Sequence, residues 1–244
     1  MGDGERADVF LVSHGYAETR AEAQAAIRAG KVRANGNKVD KPSQTLRPDV
    51  RIRYERAHPY VSRGALKLRA ALERFGYSAE GCICLDIGAS TGGFTQVLLE
   101  SGAERVYALD VGHGQFNAHL ASDPRVVLLE GVNARDLDGD LIGEPVDIVV
   151  ADVSFISLKL VLPPALSMTS DNAWAIVLVK PQFEVGRDGV GKGGIVKNPA
   201  ARQGALDDMV AWFARCGWRV EGTIASPITG SDGNHEYLLA ARRN

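Results

Sequence analysis

Two sets of residues in this 244-residue chain carry chemistry by type and spacing. The first is the run Asp86-Ile-Gly88-Ala-Ser90-Thr-Gly92-Gly93-Phe94, a glycine-rich turn after an apolar strand. Glycines there let the backbone turn tightly and approach a ligand. The dinucleotide fingerprint is not met, because Ser90 stands at its second glycine and the spacing is Gly-x-x-x-Gly-Gly. That second glycine serves a pyrophosphate, which a phosphate-free nucleoside lacks. Asp110 ends the next apolar strand, 24 residues after Asp86. An acid at about 20 residues' distance accepts hydrogen bonds from the hydroxyls of a ribose. Together these features favour S-adenosylmethionine over NAD, with Asp86, Gly88, Ser90, Gly92, Gly93, Phe94 and Asp110 as the expected cofactor contacts.

The second set is Lys67, Asp152, Lys180 and Glu236. Asp152 follows the apolar run 146–151 and Lys180 follows the run 174–179. Both therefore belong at the carboxyl edge of a parallel sheet, where ligands bind in doubly wound folds. Lys67 lies on a helix before the first strand and can face the same edge. Glu236 opens the last strand; if that strand is antiparallel, the loop 233–235 is expected to fold back so that Glu236 reaches the others. Each residue alone also fits a solvated strand end, a turn cap or a solvated helix face. Four of them converging on one edge point to a site.

The elements that must position these residues follow from periodicity. Strands are expected at 83–87, 105–109, 126–129, 146–151 and 174–179, with a late pair at 220–224 and 237–240. Helical stretches alternate with them, including 65–75 with Leu68, Leu72 and Phe75 on one face, and 95–101 after the glycine turn. The alternation implies βαβ units and a parallel sheet. Composition is that of a globular chain, 45% apolar and 24% charged with 27 Gly and 10 Pro, which excludes collagen, extended disorder and a coiled-coil rod. No apolar stretch approaches the roughly 20 residues of a membrane span, and the N-terminus has no signal-peptide core. Cys82, Cys84 and Cys216 make no disulfide framework. The expected location is cytoplasmic.

Net charge of −2 hides a split. Residues 1–57 hold 11 Lys+Arg against 8 Asp+Glu, and residues 58–244 hold 17 against 22. The first piece reads as helix 7–13, a Gly15 break, helix 20–29 with Thr19 and Glu22 at capping-box spacing, and Gly30 as its stop. A hairpin through Asn35-Gly36-Asn37 follows. With its run Thr19-Arg20, Ala26-Ile27, Ala29-Gly30-Lys31-Val32, Asn35-Gly36 and Lys41-Pro42, this region resembles an S4 domain, a small RNA-binding module. The resemblance implies phosphate contacts from Arg6, Arg20, Arg28, Lys31, Arg33 and Lys41, beside Lys38, with Arg63 from the connection that follows.

The rest of the chain resembles the TlyA family of ribose methyltransferases. The resemblance is carried by Tyr60-Val-Ser-Arg-Gly-Ala-Leu-Lys67-Leu, Ala151-Asp152-Val-Ser-Phe155-Ile-Ser-Leu, Val179-Lys180-Pro-Gln-Phe183-Glu184 and Gly233-Asn-His-Glu236-Tyr. It implies an S4 domain over 1–57, a linker over 58–63, and an FtsJ-like methyltransferase domain over 64–244. The implied fold is Rossmann-like α/β, a seven-stranded mixed sheet with the last strand antiparallel, behind a small α+β domain. The implied reaction is in-line methyl transfer from S-adenosylmethionine to a cytidine 2′-oxygen in ribosomal RNA. Lys67, Asp152, Lys180 and Glu236 form the catalytic set, and Phe155 joins the cofactor contacts. Because a ribose hydroxyl is a very weak acid, its proton must leave as the new bond forms. Lys180 is the candidate base or hydroxyl-orienting group, with Asp152 positioning its ammonium.

Three positions and one stretch depart from the family pattern: Gln96 where Asp is frequent, His113 for Tyr, Ala65 for Gly, and 116–121, which lacks the Lys and Arg common there. The chain resembles the shorter family type, so large-subunit RNA is the favoured substrate and small-subunit RNA the second. Ribosomal RNA or ribosomal subunits are the expected partners, with no membrane, metal or obligate protein partner. A membrane-active haemolysin, the family's old label, and an NAD-dependent oxidoreductase are the competing functions. The first lacks a long cationic amphipathic helix and the second lacks a hydride-chemistry His or Tyr.

Overall fold

The computed structural model describes residues 4–17, 19–186, 189–230 and 232–244. The chain forms two compact units, Met1–Tyr60 and Val61–Asn244.

The first unit packs two helices against short strands. Its elements are β1 (Glu5–Arg6), α1 (Ala7–Ser13), α2 (Arg20–Arg28), β2 (Val32–Ala34), β3 (Asn37–Lys38), β4 (Thr45–Leu46) and β5 (Ile52–Tyr54). α2 starts where the sequence signal put it. The Thr19 hydroxyl accepts from Glu22 N at 3.2 Å, filling one of the helix's orphan donors. The Glu22 carboxylate accepts from the Tyr54 hydroxyl at 2.9 Å and pairs with Arg56 at 2.9 Å. β1 pairs with β4, and β2 lies between β3 and β5 in an antiparallel sheet. Ala7, Phe10, Leu11, Ala23, Ala26, Ile27, Val32, Val39 and Leu46 close the core.

The second unit is built on one sheet of seven strands. In chain order its elements are α3 (Gly64–Phe75), β6 (Ile83–Ile87), α4 (Gly93–Glu100), β7 (Arg105–Asp110), α5 (Ala118–Ala121), β8 (Val126–Glu130), α6 (Gly139–Ile142), β9 (Val146–Ala151), α7 (Leu158–Ser167), β10 (Thr169–Val179), α8 (Pro181–Glu184), α9 (Pro199–Arg215), β11 (Trp218–Ala225) and β12 (Tyr237–Arg243). The sheet order is β11-β12-β10-β9-β6-β7-β8. β12 runs antiparallel to both of its neighbours, and the remaining contacts are parallel. The expected seven-stranded mixed sheet is therefore present, with β6, β9 and β10 buried along nearly their whole apolar runs.

The antiparallel strand corrects one expectation. Tyr237 pairs with Val179, so β12 begins at the edge where the parallel strands end. Glu236 arrives at that edge directly, and no folding back of the loop before it is needed. Three short elements, α5, α6 and α8, are too brief to show a helical period and were not anticipated.

Candidate functional site

The carboxyl edge of the sheet gathers all four residues expected to form the catalytic set. Lys67 projects from the first turn of α3, Asp152 follows β9, Lys180 follows β10 and Glu236 precedes β12. Their contacts form a chain of alternating charge. Lys67 Nζ lies 2.7 Å from Glu236 Oε2 and 3.7 Å from Asp152 Oδ2. Lys180 Nζ lies 2.7 Å from Asp152 Oδ1 and donates to the Ser154 hydroxyl at 2.9 Å. Lys67, Lys180 and Glu236 are buried, and Asp152 is half-buried. Burying charges is costly unless they are paired, and here each cation has a carboxylate. Ser154 completes the chain; sequence reasoning passed over it because a serine two residues past a strand has no distinguishing pattern.

A second missed residue holds the loop that delivers Glu236. Asn234 is buried. Its side-chain oxygen accepts from Val196 N at 3.0 Å, and its amide donates to Gly194 O at 2.9 Å and to Asp232 Oδ2 at 2.8 Å. Thus the glycine-rich segment around Gly194 is fastened to the start of β12. Arg202, from the first turn of α9, donates to Val196 O and Lys197 O, both at 3.1 Å, from the other side. Burial works to raise the Asp232 carboxyl. The Asn234 donors, with Lys180 nearby, nevertheless hold it below the ordinary carboxylate value.

The glycine turn lies beside this cluster, and its glycines divide by purpose. Gly88 has φ +81°, and a Cβ there would sit 2.6 Å from the backbone oxygen of Asp152. Gly92 has φ +94° and faces Phe116 and Leu120. At Gly93 a side chain would meet Ser62 and the backbone of Ala65, so its absence lets the start of α3, and hence Lys67, approach α4. Ser90 also has positive φ, +48°. Its N–H donates to Asp110 Oδ2 at 2.8 Å, which ties the acid at the end of β7 to the turn. Asp110 Oδ1 accepts from Gly112 N at 2.7 Å and from the Gln115 amide at 3.2 Å. Oδ2 thus keeps a lone pair for an added donor.

Asp86 is fully buried. The Thr95 hydroxyl donates to its Oδ2 at 2.6 Å, while Oδ1 has no hydrogen-bond partner. Burial, with Asp152 and Asp110 adding to it against the Thr95 bond, pushes its carboxyl up to about 7. An orphaned buried carboxylate oxygen is costly and calls for a donor. It fits the ammonium or hydroxyl groups of a nucleoside amino acid such as S-adenosylmethionine.

The other expected contacts differ in exposure. Phe94 is buried among the core side chains. Phe155, at φ +66°, is 91% exposed, and its ring meets Phe183 at a centroid distance of 5.4 Å. With Ile156, Leu160, Gln182 and Val190 these rings line a groove of about 610 Å³. Arg6 and Arg20 both bind the buried Asp8, at 3.0 and 2.9 Å, so their guanidinium groups serve the fold of the first unit. Lys31 pairs with Glu55 at 3.4 Å. Arg28, Arg33, Lys41 and Arg63 are exposed. Gln96 explains its own departure from pattern: its side-chain oxygen accepts from Val61 N at 2.9 Å.

Comparison with known proteins agrees with this geometry. Residues 60–243 match the FtsJ-like methyltransferase family and residues 5–52 match the S4 domain. A 16S/23S rRNA (cytidine-2′-O)-methyltransferase, TlyA of Mycobacterium tuberculosis, is 48% identical over 246 residues, covering 99% of this chain and 91% of that protein. A solved structure from Streptococcus thermophilus, described as a hemolysin, is 39% identical with a TM-score of 0.78, covering 99% of this chain and 89% of that one. An S-adenosylmethionine-dependent methyltransferase from Listeria monocytogenes shares the fold at 14% identity, with a TM-score of 0.56 over 75% of this chain and all of that one. Among the described residues no helix is long and apolar enough to cross a membrane. The chain belongs to the TlyA branch of the FtsJ-like methyltransferases, with an S4 domain ahead of an S-adenosylmethionine-dependent methyltransferase fold.

Proposed function

We propose that the protein methylates the ribose 2′-hydroxyl of cytidine in ribosomal RNA, in the cytoplasm, with the large-subunit RNA as first substrate and the small-subunit RNA as second. The observation that carries this is the buried chain Glu236–Lys67–Asp152–Lys180 at the sheet edge beside the glycine turn. S-adenosylmethionine supplies an electrophilic methyl group on sulfur. Asp86, Asp110 and the backbone of Ser90 are the groups that would hold it, through the orphaned Oδ1, the remaining lone pair of Asp110 and the turn itself.

What the chain itself must do is hold the 2′-oxygen and manage its proton. Lys180 Nζ is fixed by Asp152 and Ser154, so it offers one remaining direction to a hydroxyl at the mouth of the site. As an ammonium it orients the oxygen through its third N–H; to take up the proton that the hydroxyl must lose it has first to give one of its own to solvent, keeping two N–H groups for Asp152 and Ser154 and turning its lone pair on the hydroxyl. Lys67 keeps Asp152 and Glu236 compensated, leaving the carboxylates free to accept from a sugar hydroxyl. The exposed Phe155 ring, three residues past Asp152, is a surface on which an unstacked base rests, the usual way single-stranded RNA is read. The S4 domain adds sequence-tolerant affinity for the RNA backbone.

The test is transfer of labelled methyl from S-adenosylmethionine to large and small ribosomal subunits, wild type beside Lys180→Ala, with the site mapped by resistance to alkaline hydrolysis. The expected outcome is label on a cytidine ribose, with at least about a thousand-fold loss in the variant if Lys180 both orients and deprotonates. Label on a base, or an unimpaired variant, would remove the proposal.

A further inference from the structure

Glu184, at the end of α8, is a half-buried carboxylate that the methyl-transfer chemistry does not use. Its Oε2 accepts from the Ser157 hydroxyl at 2.6 Å, and its Oε1 accepts from Leu158 N at 2.9 Å. Both donors belong to the start of α7. The two bonds therefore join segments that leave neighbouring strands, 152–158 after β9 and 180–184 after β10.

The sheet ladder stops short of these segments. Between β9 and β10 it ends at Ala151 opposite Val177, so Asp152 and Lys180 both stand beyond it. The Asp152 N–H turns the other way, to Ile87 O at 3.0 Å. Side chains span the gap. At the site end Lys180 reaches Asp152 at 2.7 Å and Ser154 at 2.9 Å. At the far end stands Glu184, and the single turn of α8 links it firmly to Lys180. Phe183 N donates to Lys180 O at 2.9 Å, and Val185 N donates to Pro181 O at 3.0 Å.

The folding of α7 alone does not call for this carboxylate. Ser157 already caps the helix, its hydroxyl accepting from Lys159 N at 3.2 Å. Burial pushes the Glu184 carboxyl up against its two hydrogen bonds, a cost that a neutral acceptor would avoid. What the carboxylate adds is two short bonds in fixed directions from α8 to α7.

We propose that Glu184 is a positioning residue for methyl transfer: by fastening α8 to the start of α7 it sets the distance of Lys180 from Asp152 and Ser154. The proposal rests on Lys180 handling the 2′-oxygen, and it adds a residue that acts through the two segments rather than on the reacting atoms. A reacting group misplaced by about 1 Å slows a reaction about a hundredfold.

The test measures kcat and KM for methyl transfer to large ribosomal subunits, and the dissociation constant of S-adenosylmethionine, with the full chain. Glu184→Ala should lose about a hundredfold in kcat, with KM and cofactor affinity within about twofold of wild type. Glu184→Gln can still accept from Leu158 N and can donate to the Ser157 hydroxyl, so it should stay within about fivefold of wild type. Ser157→Ala removes one of the two bonds and should lose about tenfold in kcat; it decides the matter if Glu184→Ala does not fold. Asp147→Ala is the control for stability alone. It removes a carboxylate that accepts from Ile83 N at 3.0 Å and from Ser170 at 2.7 Å at the starts of the strands, and it should keep wild-type kcat below its melting range. Because Glu184 acts through Lys180, Glu184→Ala/Lys180→Ala should be no slower than Lys180→Ala. Unimpaired Ala variants, a Gln variant as slow as Glu184→Ala, a loss confined to KM, a control equally slow, or an additive double variant each overturn the proposal and leave the role of Lys180 standing. A Lys180→Ala enzyme as fast as wild type overturns both.

Discussion

Among the described residues each unit of this protein buries one aspartate completely within its own fold, and the two are treated in opposite ways. Asp8, in the S4 unit, accepts from Arg6 at 3.0 and 3.1 Å, from Arg20 at 2.9 Å and from the Gln24 amide at 2.8 Å. The Arg6 bonds first, then Arg20 and Gln24, hold its carboxyl well below the usual range against the effect of burial. Asp86, in the methyltransferase unit, has one hydroxyl donor and an oxygen with none, and burial pushes it up to about 7. A saturated buried charge is a fastening. An unsaturated one costs stability, and it persists where a ligand supplies the missing donors.

The largest effect is expected from making a third carboxylate resemble Asp86. Lys67→Met leaves the buried Glu236 without its cation and should cost about 3–5 kcal/mol, read as a lower denaturant midpoint of the second unit. An unchanged midpoint would mean that the site tolerates a bare carboxylate.

Asp86→Asn is expected to act in the reverse sense. Because the folded carboxyl is raised to about 7 from an ordinary 3.8, its contribution to stability is full below about pH 4 and lost as pH rises to about 7. The variant should therefore be more stable than wild type at pH 8, by up to about 4 kcal/mol, and equal to it near pH 3. It should bind S-adenosylmethionine about tenfold more weakly, the effect of losing one charge-assisted hydrogen bond. Wild-type affinity should rise with pH through 7, and that of the variant should not. Calorimetric titration at pH 6 and pH 8 checks both statements.

Asp8→Asn should give the smallest change, about 2 kcal/mol, since its two arginine partners are half exposed and rehydrate when released. The sign differs from that of Asp86. A lowered carboxyl contributes stability above its unfolded value near pH 4, and the contribution is lost as pH falls below it. The variant should thus lose the acid-side decline of the S4 unit and be weaker at pH 7. Equal melting at pH 7 would show that Asp8 is no fastening.

The contrast was only partly legible in the sequence. Asp152 and Lys180 could be placed because a residue just after a buried parallel strand has one possible edge. Glu236 was harder, since the start of a strand lies at that edge only when the strand runs antiparallel, a matter of topology rather than of local pattern. Asp8 gave no signal at all: an acid in the first turn of a helix reads as a solvated group favouring the dipole, and its burial depends on α2 packing over it. Arg6 and Arg20, expected as RNA contacts, also bind Asp8, a tie that left no mark in the sequence. Phe155 was assigned to the cofactor by resemblance, and neither its exposure nor its positive φ could be read from its residue type.

Gly88 has a consequence for how this protein can be rebuilt. No side chain fits between it and the backbone of Asp152, so the glycine turn and the loop after β9 are matched at the level of main-chain atoms. The two segments lie more than 60 residues apart in the chain, yet their backbones fit as a single part. A chimera that takes one from a distant relative must take the other with it.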